Sequence, residues 1–338
     1  HDILLELPAN SKEDAASILA VVRHNEVDQD DLRGFLERQT TQLPSLADVP
    51  EELHSMVFNA GVIEPTWENC QAFMQDEGFE AESLIVYLNQ ERIRKVILEE
   101  PIPSDSDSVD LRLFLFQNGS LSDVAYKDYI RALPRAVRTL PEGLGSSKIE
   151  ILIDERKVLF NRTNFDALAD NEELQMRFVS TNIEKYLADP ESFALDDNFR
   201  EELLRTDIDN ASKLKIIEFM DLDALEGTPE RSALIGSVIS KNDAKLTNLT
   251  GTAAQSLIKH STPIATQISI FNQCQALLTD DEVRNVLAEL PKPFSEIKTG
   301  YNSPKLEITP ENQDLVQWLD SRNIISSWSK GGLFTEYI

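Results

Sequence analysis

Four histidines, two cysteines and a large excess of carboxylates are the side chains here that could carry catalysis or hold a metal. His1, His24, His54 and His260 stand far apart, and none belongs to an HExxH pairing, the spacing that turns two imidazoles toward one metal from a single helix face. Cys70 and Cys274 each lie in an apolar helical pattern, which reads as two buried small hydrophobes in a reducing compartment rather than a disulfide or a metal half-site. The run Asp28-Gln29-Asp30-Asp31-Leu32-Arg33-Gly34 has the acidic alternation of a calcium loop. Leu32 takes a ligand position in it, however, and Arg33 brings positive charge where oxygens are needed. Asp30 or Asp31 is expected instead to cap the helix that follows.

Phosphate and acyl chemistry are no better provided for. A phosphate-cradling loop needs the pattern GxxxxGK[ST], which is absent, and the 12 glycines cluster only at Gly143-Leu144-Gly145 and Gly331-Gly332. No GxSxG elbow follows a strand. Carboxylate pairs occur throughout so acidic a chain, so closeness in sequence singles out no general acid and base. The expected catalytic, cofactor-binding and metal residues are therefore none. Asn118-Gly119-Ser120, Asn161-Arg162-Thr163, Asn210-Ala211-Ser212 and Asn248-Leu249-Thr250 match the glycosylation pattern and read as incidental.

The elements that would position any site are more legible. Thr66-Trp67-Glu68-Asn69, Asn161-Arg162-Thr163-Asn164, Thr250-Gly251-Thr252-Ala253 and Thr309-Pro310-Glu311-Asn312 each follow a short apolar segment and open with a residue whose side-chain oxygen can accept from a new helical turn. A second set of caps, Ser122, Asp209 and Thr279, starts further amphipathic helices, with Thr279 and Glu282 at capping-box spacing. Leu133-Pro134 and Leu290-Pro291 stop two of them. Helices are expected at 13–22, 31–39, 82–89, 111–118, 174–187, 199–205, 264–278 and 311–321. Before each first cap the apolar, β-branched segments read as short hairpins, at 149–160, 235–249 and 294–308. Residues 56–63 read as a fourth hairpin turning at Asn59-Ala60-Gly61, or else residues 51–58 read as a helix that Asn59-Ala60-Gly61 closes. Trp67, Phe73, Tyr87, Phe165, Phe178, Tyr186 and Trp318 fall on apolar helical faces and are expected in the core.

This order predicts a mainly α fold, an irregular helical-repeat or α-solenoid-like array with short β-hairpins between units. The expected division is a helical lead-in at 1–48, repeat units at 49–146, 147–232 and 233–292, the last of them short, and a truncated capping unit at 293–338. With 59 acidic against 32 basic residues and a net charge of −27, the surface repels phosphate backbones and anionic lipid heads, so nucleic acid and membrane are not expected as partners. No run of about 18 apolar residues and no secretory leader is visible. The start on His1 rather than Met reads as a piece cut from something larger.

Val62-Ile63-Glu64-Pro65-Thr66-Trp67-Glu68-Asn69, residues 157–165, Arg177-Phe178-Val179-Ser180-Thr181-Asn182-Ile183, Leu306-Glu307-Ile308-Thr309-Pro310-Glu311-Asn312 and Arg322-Asn323-Ile324-Ile325-Ser326-Ser327-Trp328 resemble the helical C-terminal region of large bacterial YobI-like P-loop NTPases. The resemblance implies a parent protein whose ATPase lies in an N-terminal domain outside this chain, so none of its nucleotide-binding residues carries over. It also implies, by analogy, a sensing or defence role. The expected function is a non-catalytic, cytoplasmic scaffold or protein-recognition module, its partners a protein and the rest of its own parent chain. A hydrolase with a carboxylate pair between units, and an acidic decoy for a basic protein, are the alternatives.

Overall fold

The computed structural model describes residues 14–23, 28–39, 41–99, 109–225, 227–241, 246, 248–261, 264–289, 306–307, 321, 325–327 and 334–337. The fold is mainly helical. Two compact units divide the chain, residues 1–181 and 182–338.

The first unit contains α1 (Asp14–Val22), α2 (Gln29–Leu36), α3 (His54–Ala60), α4 (Trp67–Met74), α5 (Ala81–Asn89), α6 (Glu91–Glu99), α7 (Val109–Gln117), α8 (Asp123–Ala132), α9 (Ser146–Asp154) and α10 (Arg162–Ala167). The helix α11 (Glu172–Ala188) runs across the division. The caps expected at Thr66, Ser122 and Asn161 accept from the backbone N–H three residues on, at Asn69, Ala125 and Asn164. In α2 the cap is Asp28, not Asp30 or Asp31, whose N–H groups it accepts instead. Apolar residues recur at helical spacing and turn inward, as Ile93 and Ile97 do on α6. Phe58 stacks on Phe73 at 4.3 Å and meets the edge of Tyr87 at 4.8 Å, while Trp67 stands edge-on to Tyr129. Each such large apolar side chain, fully buried, contributes about 1.5–3 kcal/mol.

In the first unit the segment read as a hairpin at 149–160 opens as a helix, and at 51–61 the helical alternative is the one that forms. Ile149-Glu150-Ile151-Leu152-Ile153 lies within α9, where Leu152 and Ile153 are buried, and helix packing overrides the β-branched alternation. Glu51-Glu52-Leu53 makes a 3-10 turn leading into α3, which Gly61 closes in a left-handed conformation, φ 69°. Each of these helices then runs into one parallel bridge. Leu43 N–H donates to Val62 O and Glu64 N–H to Leu43 O, and likewise Val137 N–H to Lys157 O and Leu159 N–H to Val137 O. Arg156, φ 53°, closes α9 where Gly61 closes α3. A side chain in the left-handed region costs about 1 kcal/mol relative to glycine. Arg156→Gly is therefore expected to raise stability by roughly 0.5–1 kcal/mol, read as a higher urea midpoint at unchanged slope.

The second unit contains α12 (Asp197–Arg205), α13 (Asn210–Glu218), α14 (Pro229–Ile239), α15 (Gly251–His260), α16 (Ile264–Cys274) and α17 (Asp280–Glu289). Here too a segment read as a hairpin, from Ile235, belongs to a helix, α14. Caps at Asp209 and Thr250 and the Thr279–Glu282 capping box form as expected. The helices α14, α15 and α16 pack on one another. Gly236 is buried at the heart of α14, where a Cβ would lie 1.9 Å from Ser261 Oγ and 2.9 Å from Ile270 Cδ1.

Near the C-terminus β1 (Leu306–Glu307), β2 (Ile325–Ser327) and β3 (Phe334–Tyr337) form an antiparallel sheet in the order β1-β3-β2. β1 falls in the hairpin expected at 294–308, but its partner is β3, with Leu306 opposite Thr335 and Glu307 opposite Phe334. The sequence reading had no strands at β2 or β3. The cap at Thr309, the helix at 311–321 before its last residue, the stop at Leu290-Pro291 and the core position of Trp318 lie outside the described residues.

Candidate functional site

Two deeply placed polar side chains of the first unit are Asn69 and Asn164, each the last residue of a cap tetrad. Asn164 is 0% exposed: its Oδ1 accepts from Leu140 N–H at 2.8 Å, and its Nδ2 donates to Arg138 O at 3.1 Å and Leu159 O at 2.7 Å. Asn69 repeats this set, accepting from Leu46 N–H at 3.0 Å and donating to Pro44 O and Glu64 O, both at 3.1 Å. Each amide pins the two strands of its parallel bridge to the turn beside them, with no valence left over for a ligand apart from the second lone pair. The sequence reading gave these residues no role beyond helix capping, although the signal was present in the shared Thr/Asn-x-x-Asn spacing. In the third tetrad Ala253 takes the position, and Asn248 Nδ2 instead meets Ile217 O, Glu218 O and Met220 O at the end of α13.

Other groups that could do chemistry are engaged in the same way. His54, a candidate by residue type, is buried with Nδ1 2.7 Å from Asp76 Oδ2 and Nε2 3.0 Å from Val49 O, so both ring nitrogens are taken. Tyr87, Tyr126 and Tyr129 donate to the carbonyls of Ile63, Phe116 and Leu88, and burial pushes all three phenols up. Lys148, 5% exposed, pairs with Asp123 and lies 5.3 Å over the Tyr126 ring. Cys70 and Cys274 are free and buried, and burial pushes both thiols up to about 12, far from the reactive thiolate. Among the described residues no group of three or more His, Cys, Asp or Glu is placed to hold a metal ion.

Charged groups join the helices of each unit. In the first, Arg94 of α6 pairs with Asp128 of α8, Arg131 of α8 with Glu155, and Arg177 of α11 with Asp154 and Glu150 of α9. In the second, Glu201 of α12 accepts from Arg231 of α14 at 2.9 Å and from Arg205 of its own helix. Beside it lies an open depression of about 300 Å³ lined by Glu201, Thr228, Pro229, Glu230 and Arg231. Glu201, Arg231 and Thr228 there are engaged, since Arg231 also donates to Asn198 Oδ1 and Thr228 Oγ1 to Leu225 O.

Among the described residues, the carboxyls with a displaced pKa, Glu91, Asp123, Glu155, Glu201, Asp209 and Glu282, are all lowered. A general acid poised near neutrality needs the opposite shift. For Glu201, burial alone would raise the value, and the hydrogen bonds from Arg231 and Arg205 outweigh it. A lowered carboxyl stabilises the fold at pH values above its ordinary value, 4.5 for glutamate, and that contribution disappears as pH falls through the folded value. Stability to urea is thus expected to decline below about pH 4.5, and Glu201→Gln to make the decline shallower. An equally steep decline in the variant would show that the α12–α14 ion pair contributes nothing to the acid sensitivity.

No helix among the described residues is long and apolar enough to cross a membrane. No family model matches the chain, and no solved structure matches it. The chain is 19% identical over 342 residues to the protein described as "Uncharacterized membrane protein YobI" of Bacillus subtilis (strain 168), covering 97% of this chain and 28% of that protein. What these comparisons give is a distant likeness along nearly the whole chain, which spans less than a third of the relative's length.

Proposed function

We propose that this chain is a non-catalytic helical module of a larger protein, working as a scaffold or recognition arm for a protein partner, the rest of its own parent polypeptide included. The observation that carries the reading is where the reactive groups point: amides, imidazole, phenols and thiols are spent on backbone or buried. Such a molecule offers partners surfaces rather than a reaction centre. The twice-built arrangement of helix, parallel bridge and Asn clamp supports reading the helical chain as an irregular solenoid-like repeat array. The likeness to a much longer relative supports a place within a larger protein, and the relative's description as a membrane protein fits a module attached to a membrane-bound parent. That the parent is of NTPase type and the module cytoplasmic rests on the sequence resemblance and composition alone.

The test is calorimetric titration of the isolated chain with Mg-ATP, alongside a phosphate-release assay and titration with the separately produced remainder of the parent polypeptide. Binding to the remainder with no response to Mg-ATP is expected. Saturable ATP binding or turnover would overturn the non-catalytic reading, and no association with the remainder would remove the scaffold role within the parent.

A further inference from the structure

We propose that Asn118 is a site of spontaneous covalent modification, in which the Gly119 backbone nitrogen attacks the Asn118 side-chain amide and converts the residue to aspartate or isoaspartate. Asn118-Gly119-Ser120 links α7 to α8. Gly119 and Ser120 are exposed and Asn118 is half-buried, so water and base reach the site. Ser120 N–H donates to Asn118 Oδ1 at 3.0 Å, which draws electron density from Cγ and offers a donor to the oxyanion that forms there. Nδ2, the departing nitrogen, is held by no hydrogen bond among the described residues, and Gly119 has no Cβ to crowd the attack.

Other asparagines lack these conditions. The Nδ2 groups of Asn69, Asn164 and Asn248 are held by two or three carbonyls each, Asn161 donates to Arg138 O, and Asn59 donates to Ser83 Oγ. None of these five is followed by glycine.

The steps balance with water alone. A solvent base takes the Gly119 N–H proton, and the hydrogen bond from that N–H to Gln117 O, 3.2 Å, is given up. The nitrogen bonds to Cγ, the Cγ–Nδ2 bond breaks, and ammonia leaves after protonation by water. Water then opens the cyclic imide at one carbonyl to give aspartate, or at the other to give isoaspartate, whose main chain runs through Cβ. One water enters, one ammonia leaves, and nothing is oxidised or reduced. The isoaspartate form lengthens the main chain just before Leu121, which is buried, and Ser122, which caps α8 and is anchored through its N–H to Asn89 Oδ1.

The full chain is held at mildly alkaline pH, and peptide mass mapping follows each asparagine, with enzymatic methylation reporting isoaspartate. Conversion at 118 is expected to lead all other described asparagines. Gly119→Ala is the control: its backbone is outside the left-handed region, and an added Cβ meets nothing nearer than Leu144 Cδ2 at 3.8 Å, so the variant keeps the fold. In that variant conversion at 118 is expected to fall to the level of the other asparagines. An Asn118 that keeps its amide while others convert, or a Gly119→Ala chain that converts as fast, overturns the assignment.

Discussion

Asn164→Asp is expected to destabilise the first unit more than Asn164→Ala at pH 7, although it matches the native side chain in shape. Truncation to alanine leaves two backbone groups, Leu140 N–H and Leu159 O, without their partner, while Arg138 O keeps its bond from Asn161 Nδ2. At about 1–3 kcal/mol for each buried group stranded, the cost is about 2 kcal/mol or more, a large share of a typical domain's stability. The aspartate keeps an acceptor for Leu140 but turns an anionic oxygen on two carbonyls at a position that is 0% exposed. Burial raises its folded pKa, so the variant's missing stability returns in part as pH falls through that raised value, and the recovery is complete by the ordinary carboxylate value of about 4. Urea titrations of both variants at pH 7 and under acid check the order and the recovery. A neutral-pH loss under 1 kcal/mol for alanine would mean that water replaces the amide and that the clamp is no organising element. Asn69→Asp should behave alike, because its three contacts are the same in kind.

Gly236→Ala is the second large effect, expected in the other unit. The added methyl would meet Ser261 Oγ at 1.9 Å and Ser261 Cβ at 3.1 Å, distances that require the end of α15 to move away from α14. Overpacking of this kind costs about 1–3 kcal/mol, occasionally more. Ser261 Oγ is fully buried and has no hydrogen-bond partner among the described residues, so Ser261→Ala removes the nearest obstacle without stranding a bond. The double variant Gly236→Ala/Ser261→Ala should recover most of the loss, a coupling measurable as a double-mutant cycle. Additive losses would show that the strain lies at Ile270 Cδ1 instead.

The two variants mark where the sequence could be read and where it could not. Helices such as α5, α7, α11 and α12 were legible because apolar residues recur at helical period between a capping residue and a stop. The helix α9 was missed because Ile149, Ile151 and Ile153 happen to alternate with Glu150 and Leu152. Only the packed structure shows that Lys148, Leu152 and Ile153 form the buried face. Asn164 escaped for a related reason: a short polar side chain in the first helical turn reads as solvated, and its value comes from carbonyls that the fold brings to it from far along the chain. The tight approach at Gly236 is a property of two helices meeting, invisible in either one. The pairing of β1 with β3 joins segments that carry no mutual signal in their sequences.

The two cysteines bear on how this protein could be watched opening. Cys70 belongs to one compact unit and Cys274 to the other, and both thiols are sealed and held protonated. An alkylating reagent in solution can therefore mark each only in the moments when its surroundings part. Each unit thus comes with its own built-in clock, and the two marking rates, read from one sample, would tell whether the units breathe together or apart.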